Sequence, residues 1–359
     1  MITVVDKKYR YVSVFDPETG LSVRSNIYDV EGKDTGIEPF IGSFPELLDI
    51  GIMGYCVHGK KGLCLLSGVE CYQDGFNITE KNMSLERFKR IIDQASGRTF
   101  QVALGGRGDP DMHEDIVEIL YYARSKNVIP NFTTSGYGLK KELLPVIKEC
   151  CGAVAVSWYR SDYTLKAIKM LIDAGIKTNI HYCINNATID EAIKMMEKKI
   201  YIEGVNRIIF LLHKPVGLGK KENMLSIHDE RVRYFFSLFD DPEIAKKAGF
   251  DSCSVPALLN FTTKIHPDSI EPCEAARFSA YISPDFKLYP CSFVKDTKYG
   301  VDLGEKSIED AWNSIQFEEF RQKFQGRCRG CEKYNFCLGG CPEIPEITLC
   351  NRKNLNKVG

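Results

Sequence analysis

A chain of 359 residues is long enough for one large α/β domain with a smaller appendage and a substantial core. Its 47 Lys and Arg balance 48 Asp and Glu, so no basic surface offers itself to phosphate backbones and no nucleic-acid partner is expected. The N-terminus lacks the apolar stretch of a signal peptide and no apolar run reaches the roughly 18 residues of a spanning helix, so no membrane partner is expected and the cytoplasm is the expected location.

Residues 1–45 read as a β-rich segment, with Tyr11–Phe15 and Leu21–Arg24 flanking the turn Asp16–Gly20. Residues 46–250 alternate short apolar runs with amphipathic stretches. The predicted strands are Leu48–Met53, Phe100–Leu104, Ile129–Thr133, Ala153–Ser157, Lys177–Tyr182 and Arg207–Leu212. Helical patterns lie near 84–96, 112–127, 139–150, 162–174, 188–200 and 227–240, with a Thr188-x-x-Glu191 capping box and Gly175 just past a helix end. Six β/α units in series predict a parallel sheet, an open doubly wound sheet or, as the preferred reading, a partial (β/α)6 TIM-type barrel. Either architecture gathers its ligand at the carboxyl ends of the strands.

Those ends carry the unusual residues. The first strand runs into a loop with Cys56, Cys64 and Cys71, three thiols that can hold three irons of a [4Fe–4S] cluster and leave the fourth open. The second ends in Gly105-Gly106-Arg107-Gly108-Asp109, whose glycines let a ligand approach the backbone. Ser135, Ser157, Arg160, Asn179, His181 and His213 follow at later strand ends, where the serines also read as helix caps and the histidines as satisfied core or rim residues.

Residues 251–359 form a cysteine-rich extension. Seven of the fourteen cysteines fall between Cys273 and Cys350: Cys273, Cys291, and then Cys328, Cys331, Cys337, Cys341 and Cys350 at a spacing of C-x2-C-x5-C-x3-C-x8-C. In a reducing compartment such thiols read as metal ligands rather than disulfides. Locally, Cys328, Cys331, Cys337 and Cys341 also suit a four-thiolate zinc site in a non-enzymatic metal module. Cys150, Cys151 and Cys183 sit in apolar patterns and read as small core residues.

The cysteine loop, the Gly105-Gly106 turn and the array from Cys273 through Tyr289-Pro290-Cys291 and Ser307–Phe317 to Cys350 resemble a radical S-adenosylmethionine (SAM) enzyme with a C-terminal SPASM extension, the group that modifies ribosomally made peptides and proteins. The resemblance implies SAM and three [4Fe–4S] clusters as cofactors. Cys56, Cys64 and Cys71 would hold the SAM-binding cluster, with Gly105 and Gly106 at the SAM methionine and Ser135, Ser157, Arg160, Asn179 and His181 as further contacts. Cys273, Cys291 and Cys341 would hold an inner auxiliary cluster, and Cys328, Cys331, Cys337 and Cys350 an outer one. It also implies a peptide or protein substrate, a reductant such as flavodoxin or ferredoxin, and hydrogen abstraction leading to a crosslink, an oxidation or an epimerisation, or alternatively a sulfatase-maturase-like formylglycine.

The chain departs from the family pattern at its C-x7-C-x6-C loop, where C-x3-C-x2-C is usual, and at Arg107, where an acidic residue is usual. It departs again at Phe286, where a glycine is usual. Cys253 has three readings: fourth ligand of the inner cluster, catalytic thiol, or buried linker cysteine. Asp251, Cys253, His213 and Asp109 are the candidate proton or hydrogen donors.

Overall fold

The computed structural model describes residues 1–351, so the last eight positions of the extension lie outside the described residues. Three strands, β1 (Ile2–Asp6), β2 (Tyr11–Phe15) and β3 (Ser22–Arg24), form an antiparallel sheet. A ten-stranded sheet follows, built from β4 (Leu47–Met53), β5 (Gln101–Gly106), β6 (Ile129–Thr134), β7 (Val154–Ser157), β8 (Thr178–Ile184), β9 (Arg207–Leu212), β10 (Ala248–Phe250), β11 (Ser279–Ile282), β12 (Lys287–Tyr289) and β13 (Val301–Asp302). Its order is β10-β9-β8-β7-β6-β5-β4-β11-β12-β13.

The six predicted strands are β4–β9. The sheet is wider than they are, because β10 adds in parallel to β9 and β11 in parallel to β4. At three and four residues these two strands carry too little alternation to be seen in a sequence. Side chains from β4 to β9 and from the segment after β10 line a single cavity. Seven flat strands would span roughly 30 Å at 4.8 Å each. The sheet therefore curls into a partial barrel, open between β10 and β13.

The helices follow their apolar stripes. The helix Leu85–Ala95 starts at Ser84, whose side chain accepts from Arg87 N, and buries Phe88, Ile91, Ile92 and Ala95. The helix Asp162–Asp173 starts at Ser161 in the same way and ends before Gly175, whose φ is +72°. The expected capping box at Thr188 does not form. Thr188 Oγ1 donates instead to Cys183 O at 2.9 Å, and Glu191 accepts from Trp158 Nε1 at 3.0 Å and Tyr182 Oη at 3.0 Å. Tertiary partners at the end of β7 and on β8 outbid the local cap. Among the described residues no helix is long and apolar enough to cross a membrane.

The N-terminal sheet stands at the amino ends of the barrel strands. Phe15 stacks on Phe100 at 5.5 Å beside Ile129, and Lys177 Nζ donates to Glu18 O. Arg24 fastens this sheet to the extension: its guanidinium reaches Glu46 at 2.8 Å, Glu271 at 3.2 Å and Glu274 at 2.5 Å, and lies 3.7 Å from the Phe278 ring centre. Glu46 is 5% exposed and also accepts from Tyr11 and Ser13. Removing the arginine strands that carboxylate, which costs about 3 kcal/mol or more. Arg24→Ala is expected to lower the urea midpoint accordingly without changing the far-ultraviolet circular dichroism of the folded protein.

Candidate active site and thiol groups

Every parallel strand from β4 to β9 delivers its carboxyl end to one cavity of about 420 Å³. Cys56, Cys64 and Cys71 form one wall, with Gly105, Gly106 and Asp109 after β5, Ser135 after β6 and Ser157 at the end of β7. His181 and Cys183 on β8, then His213, Lys214, Asp251 and Ser292, complete it. Cys56 caps the short helix Val57–Lys60, where Gly59 N–H donates to its sulfur at 3.0 Å. Gly106 has φ +111°, and a Cβ there would stand 2.4 Å from Met53 O, so only glycine permits this turn. Beside Gly105 nothing but Asp49 comes within 4.0 Å of a Cβ position, which leaves that stretch of backbone open to the cavity.

Burial dominates the electrostatics. It pushes the Cys56 thiol up to about 12 and also raises Cys64. Such thiols stay protonated until cations displace their protons. The sulfurs of Cys56, Cys64 and Cys71, beside the Gly59 amide donor and open space, fit the donor set of an iron–sulfur group. Burial also lowers His58 and His181 to about 4, so both imidazoles are neutral. His58 is packed by Tyr159 at 4.5 Å between ring centres and meets Tyr163 Oη at 2.6 Å.

Asp109 accepts from Ser135 N at 2.7 Å and Ser135 Oγ at 2.5 Å, yet enclosure raises its pKa. Behind it both Asp111 oxygens are buried without a hydrogen-bond partner. Burial and then the Asp109 charge push Asp111 up to about 7. Asp49, on the inward face of β4, is likewise raised to about 7 by enclosure, opposed by a hydrogen bond with Ser292.

Two expected SAM contacts stand elsewhere. Arg160 is not in the cavity wall; its guanidinium is held by Glu191, by Tyr182 Oη at 3.1 Å and by Ser67 O at 3.1 Å. Asn179 accepts from Asn206 Nδ2 at 2.8 Å and faces a separate cavity of about 600 Å³ at the amino end of the barrel, because it lies two residues before His181 on the same face of β8. Cys150 is core and Cys151 packs against it, as expected. Cys183 is not core: it lies on the inward face of β8 and opens on the active-site cavity, with its thiol raised by burial to about 11. Its register, i+2 from His181, was the available signal.

Two candidate donors are already engaged. His213 Nε2 donates to Lys220 O at 3.0 Å, and Asp251 accepts from Leu212 N at 3.1 Å, Ser254 Oγ at 2.8 Å and Lys214. Asp49, His58 and Ser292 are cavity residues that the strand-end reading missed, and Tyr159 and Lys214 stand at strand ends without having been singled out. Asp49 was hidden mid-strand, and Ser292 becomes a neighbour only through the pairing of β11 with β4.

The C-terminal thiols fall into two groups. Cys328, Cys331, Cys337 and Cys350 line one cavity of about 500 Å³, where Thr348 Oγ1 is buried without a partner. Cys341 is not among them; it is 9% exposed, accepts from Ile344 N at 3.2 Å and hydrogen-bonds Cys253. Cys253 in turn lies close enough to raise the thiol pKa values of Cys273 and Cys291, after the larger effect of burial. Cys253 thus stands among the thiols of Cys273, Cys291 and Cys341. Among the described residues no three His, Cys, Asp or Glu side chains converge as a single ion requires.

Residues 273–332 match SPASM, an iron-sulfur cluster-binding domain. The mycofactocin maturase MftC of Mycolicibacterium smegmatis is 22% identical over 308 residues, which span 77% of this chain and 75% of that protein. The Streptococcus suis SuiB structure bound to S-adenosylmethionine aligns over 87% of this chain and 78% of its own, at 18% identity and a TM-score of 0.63. Native anSMEcpe with bound AdoMet and the Kp18Cys peptide aligns over 83% of this chain and 89% of its own, at 15% identity and a TM-score of 0.57. At those identities the two solved structures establish the fold.

Asp111 gives the site a pH signature. Its folded value is about 7 against an ordinary 3.8, so the unfolded chain releases this proton first and stability falls as pH rises between the two. Asp111→Asn removes that slope. Thermal melts from pH 4 to pH 8 are expected to fall less steeply for the variant than for the parent; parallel curves count against the assignment.

Proposed function

We propose that this chain, a radical SAM enzyme carrying a SPASM domain, is a peptide maturase that removes a hydrogen atom from a residue of a ribosomally made peptide. When bound, the cluster and SAM together supply the 5′-deoxyadenosyl radical that does so. Cys56, Cys64 and Cys71 are the thiolates for that cluster, and the open backbone at Gly105 and Gly106 receives SAM. Ser135, Ser157 and neutral His181 offer hydrogen-bonding groups around it. The enclosing wall of Asp49, Tyr159, Cys183 and Phe293 keeps the reacting atoms from solvent.

The observation that carries the reading is that chain neighbours of two inner thiols line the cavity of the first three. Asp251 and Ser292, which line it together with Cys56, Cys64 and Cys71, lie two residues from Cys253 and next to Cys291. Cys253, Cys273, Cys291 and Cys341 then make a four-thiolate inner set, and Cys328, Cys331, Cys337 and Cys350 an outer one, for three clusters in all. A peptide is the substrate class in keeping with the maturase relative and with the peptide in the anSMEcpe complex. The formylglycine alternative is not favoured, since the relative that matches over 77% of this chain is a mycofactocin maturase. An electron donor such as flavodoxin or ferredoxin, an oxidoreductase class and a cytoplasmic location follow from this reading.

Anaerobic reconstitution is expected to load about twelve irons per chain, four for each cluster. Dithionite and SAM should then yield 5′-deoxyadenosine. The triple replacement of Cys56, Cys64 and Cys71 by Ala should abolish that product and leave about eight irons. Cys253→Ala should also lower the iron content while SAM cleavage persists. Zinc without iron, or no 5′-deoxyadenosine from the fully loaded parent, would overturn the function.

A further inference from the structure

The C-x7-C-x6-C loop carries two short helices, Val57–Lys60 and Leu63–Leu66, between its thiols, so something must fold the insertion back. One anchor comes from the exit of β7: Ser67 Oγ donates to Tyr159 O at 2.8 Å and Arg160 Nη1 to Ser67 O at 3.1 Å. The other comes from the segment after β9. There Leu218 N donates to Cys71 O at 2.9 Å, Lys220 N to Glu70 Oε2 at 2.8 Å and Asn223 Nδ2 to Glu70 Oε1 at 2.9 Å.

Glu70 therefore gives each oxygen a separate donor on one partner segment, with His213 Nε2 a further 3.6 Å from Oε2. Its side chain is only 11% exposed, so these bonds to a charged acceptor are shielded from water. Gly217 makes the approach possible. Its φ is +64°, and a Cβ there would stand 2.4 Å from Tyr72 O and 2.7 Å from Cys71 O. At its other end the same segment is pinned by buried Lys214, which donates to Leu212 O at 2.8 Å and pairs with Asp251, two residues from Cys253.

We propose that residues 213–223 form a positioning strap for the SAM-cluster site, in which Glu70 and Gly217 hold the backbone of Cys71 in register with Cys56 and Cys64. The strap rests on the radical SAM reading above. It adds that the thiol spacing of this loop is made workable by a segment more than 140 residues downstream (71 to 213), whose other end is fixed beside the inner thiol group. Glu70 lines the active-site cavity with both oxygens engaged by the strap, and Gly217 stands outside the cavity wall.

The test uses the full chain, reconstituted anaerobically, with two readouts besides turnover. One is the rate of iron release to a chelator; the other is the change that SAM produces in the electron paramagnetic resonance spectrum of the reduced protein, which reports the SAM-binding cluster. Glu70→Ala and Gly217→Ala are expected to speed release of about four irons at least tenfold and to weaken the SAM-induced spectral change, as loss of a ligand-orienting partner does. Glu70→Gln, which keeps an acceptor oxygen, should fall between Glu70→Ala and the parent. Asn223→Ala removes a single donor at the rim and should speed release by a few-fold with folding intact, which covers the case in which the harsher variants fail to fold. Parental release and parental spectra in Asn223→Ala and in any folded Glu70 or Gly217 variant would overturn the strap. A parent protein with no SAM-dependent spectral change would instead overturn the radical SAM reading itself.

Discussion

Parallel pairing of β11 with β4, in register from Ser279 opposite Leu47 to Ile282 opposite Ile50, joins the extension to the barrel. Because side chains alternate along a strand, a slip of one residue would turn every β11 side chain to the opposite face. In the observed register β12 folds back from β11, and the chain reaches Cys291 and Ser292 beside the inward-facing Asp49. The inner thiol group thereby borders the cavity lined by Cys56, Cys64 and Cys71. The Arg24 network and the Trp312 indole, which donates to Gly42 O at 2.8 Å, lock the same junction from the amino-end side.

Burial then sets the chemistry. The thiols of Cys56, Cys64 and Cys183, with Asp49, Asp109 and Asp111, are pushed toward their neutral forms, and so are the imidazoles of His58 and His181. Lys214 is the buried cation at the cavity, and it is matched by Asp251. A site of this kind carries little charge of its own. Its thiolates form when a cationic group enters, so loading with metal and the final electrostatics of the site are one event. The strap from His213 to Asn223 gives this economy a geometric counterpart, since one segment spaces the thiols of the first loop and presents Lys214 to the inner group.

The strands β4–β9 were legible because their apolar runs and intervening amphipathic helices are periodic over many residues. β1, β10 and the three strands of the extension were not, as each is short or is stabilised by a partner far away in the chain. Thr188 illustrates the limit of local rules: a sequence that reads as a capping box forms other bonds because Trp158, Arg160 and Tyr182 compete for Glu191. Asn179 and Cys183 illustrate another. Both stand on the inward face of β8, but their depth along the barrel sends one to the lower cavity and the other to the active-site cavity.

By itself the sequence determined the candidate ligand types and the order of β/α units, because these depend on residue chemistry and on spacing along a few turns of chain. Spacing did not say which thiols lie together; the family resemblance implied a grouping, and the contacts that bring those thiols together belong to the tertiary structure. Cys341 lies four positions from Cys337 but meets Cys253, 88 positions away, because the turn Leu338–Gly340 runs through left-handed backbone and carries Cys341 away from its neighbours. The same holds for the wide first loop. Its spacing is written in the chain, while the bonds that make that spacing usable come from a segment that only the closing of the barrel brings alongside.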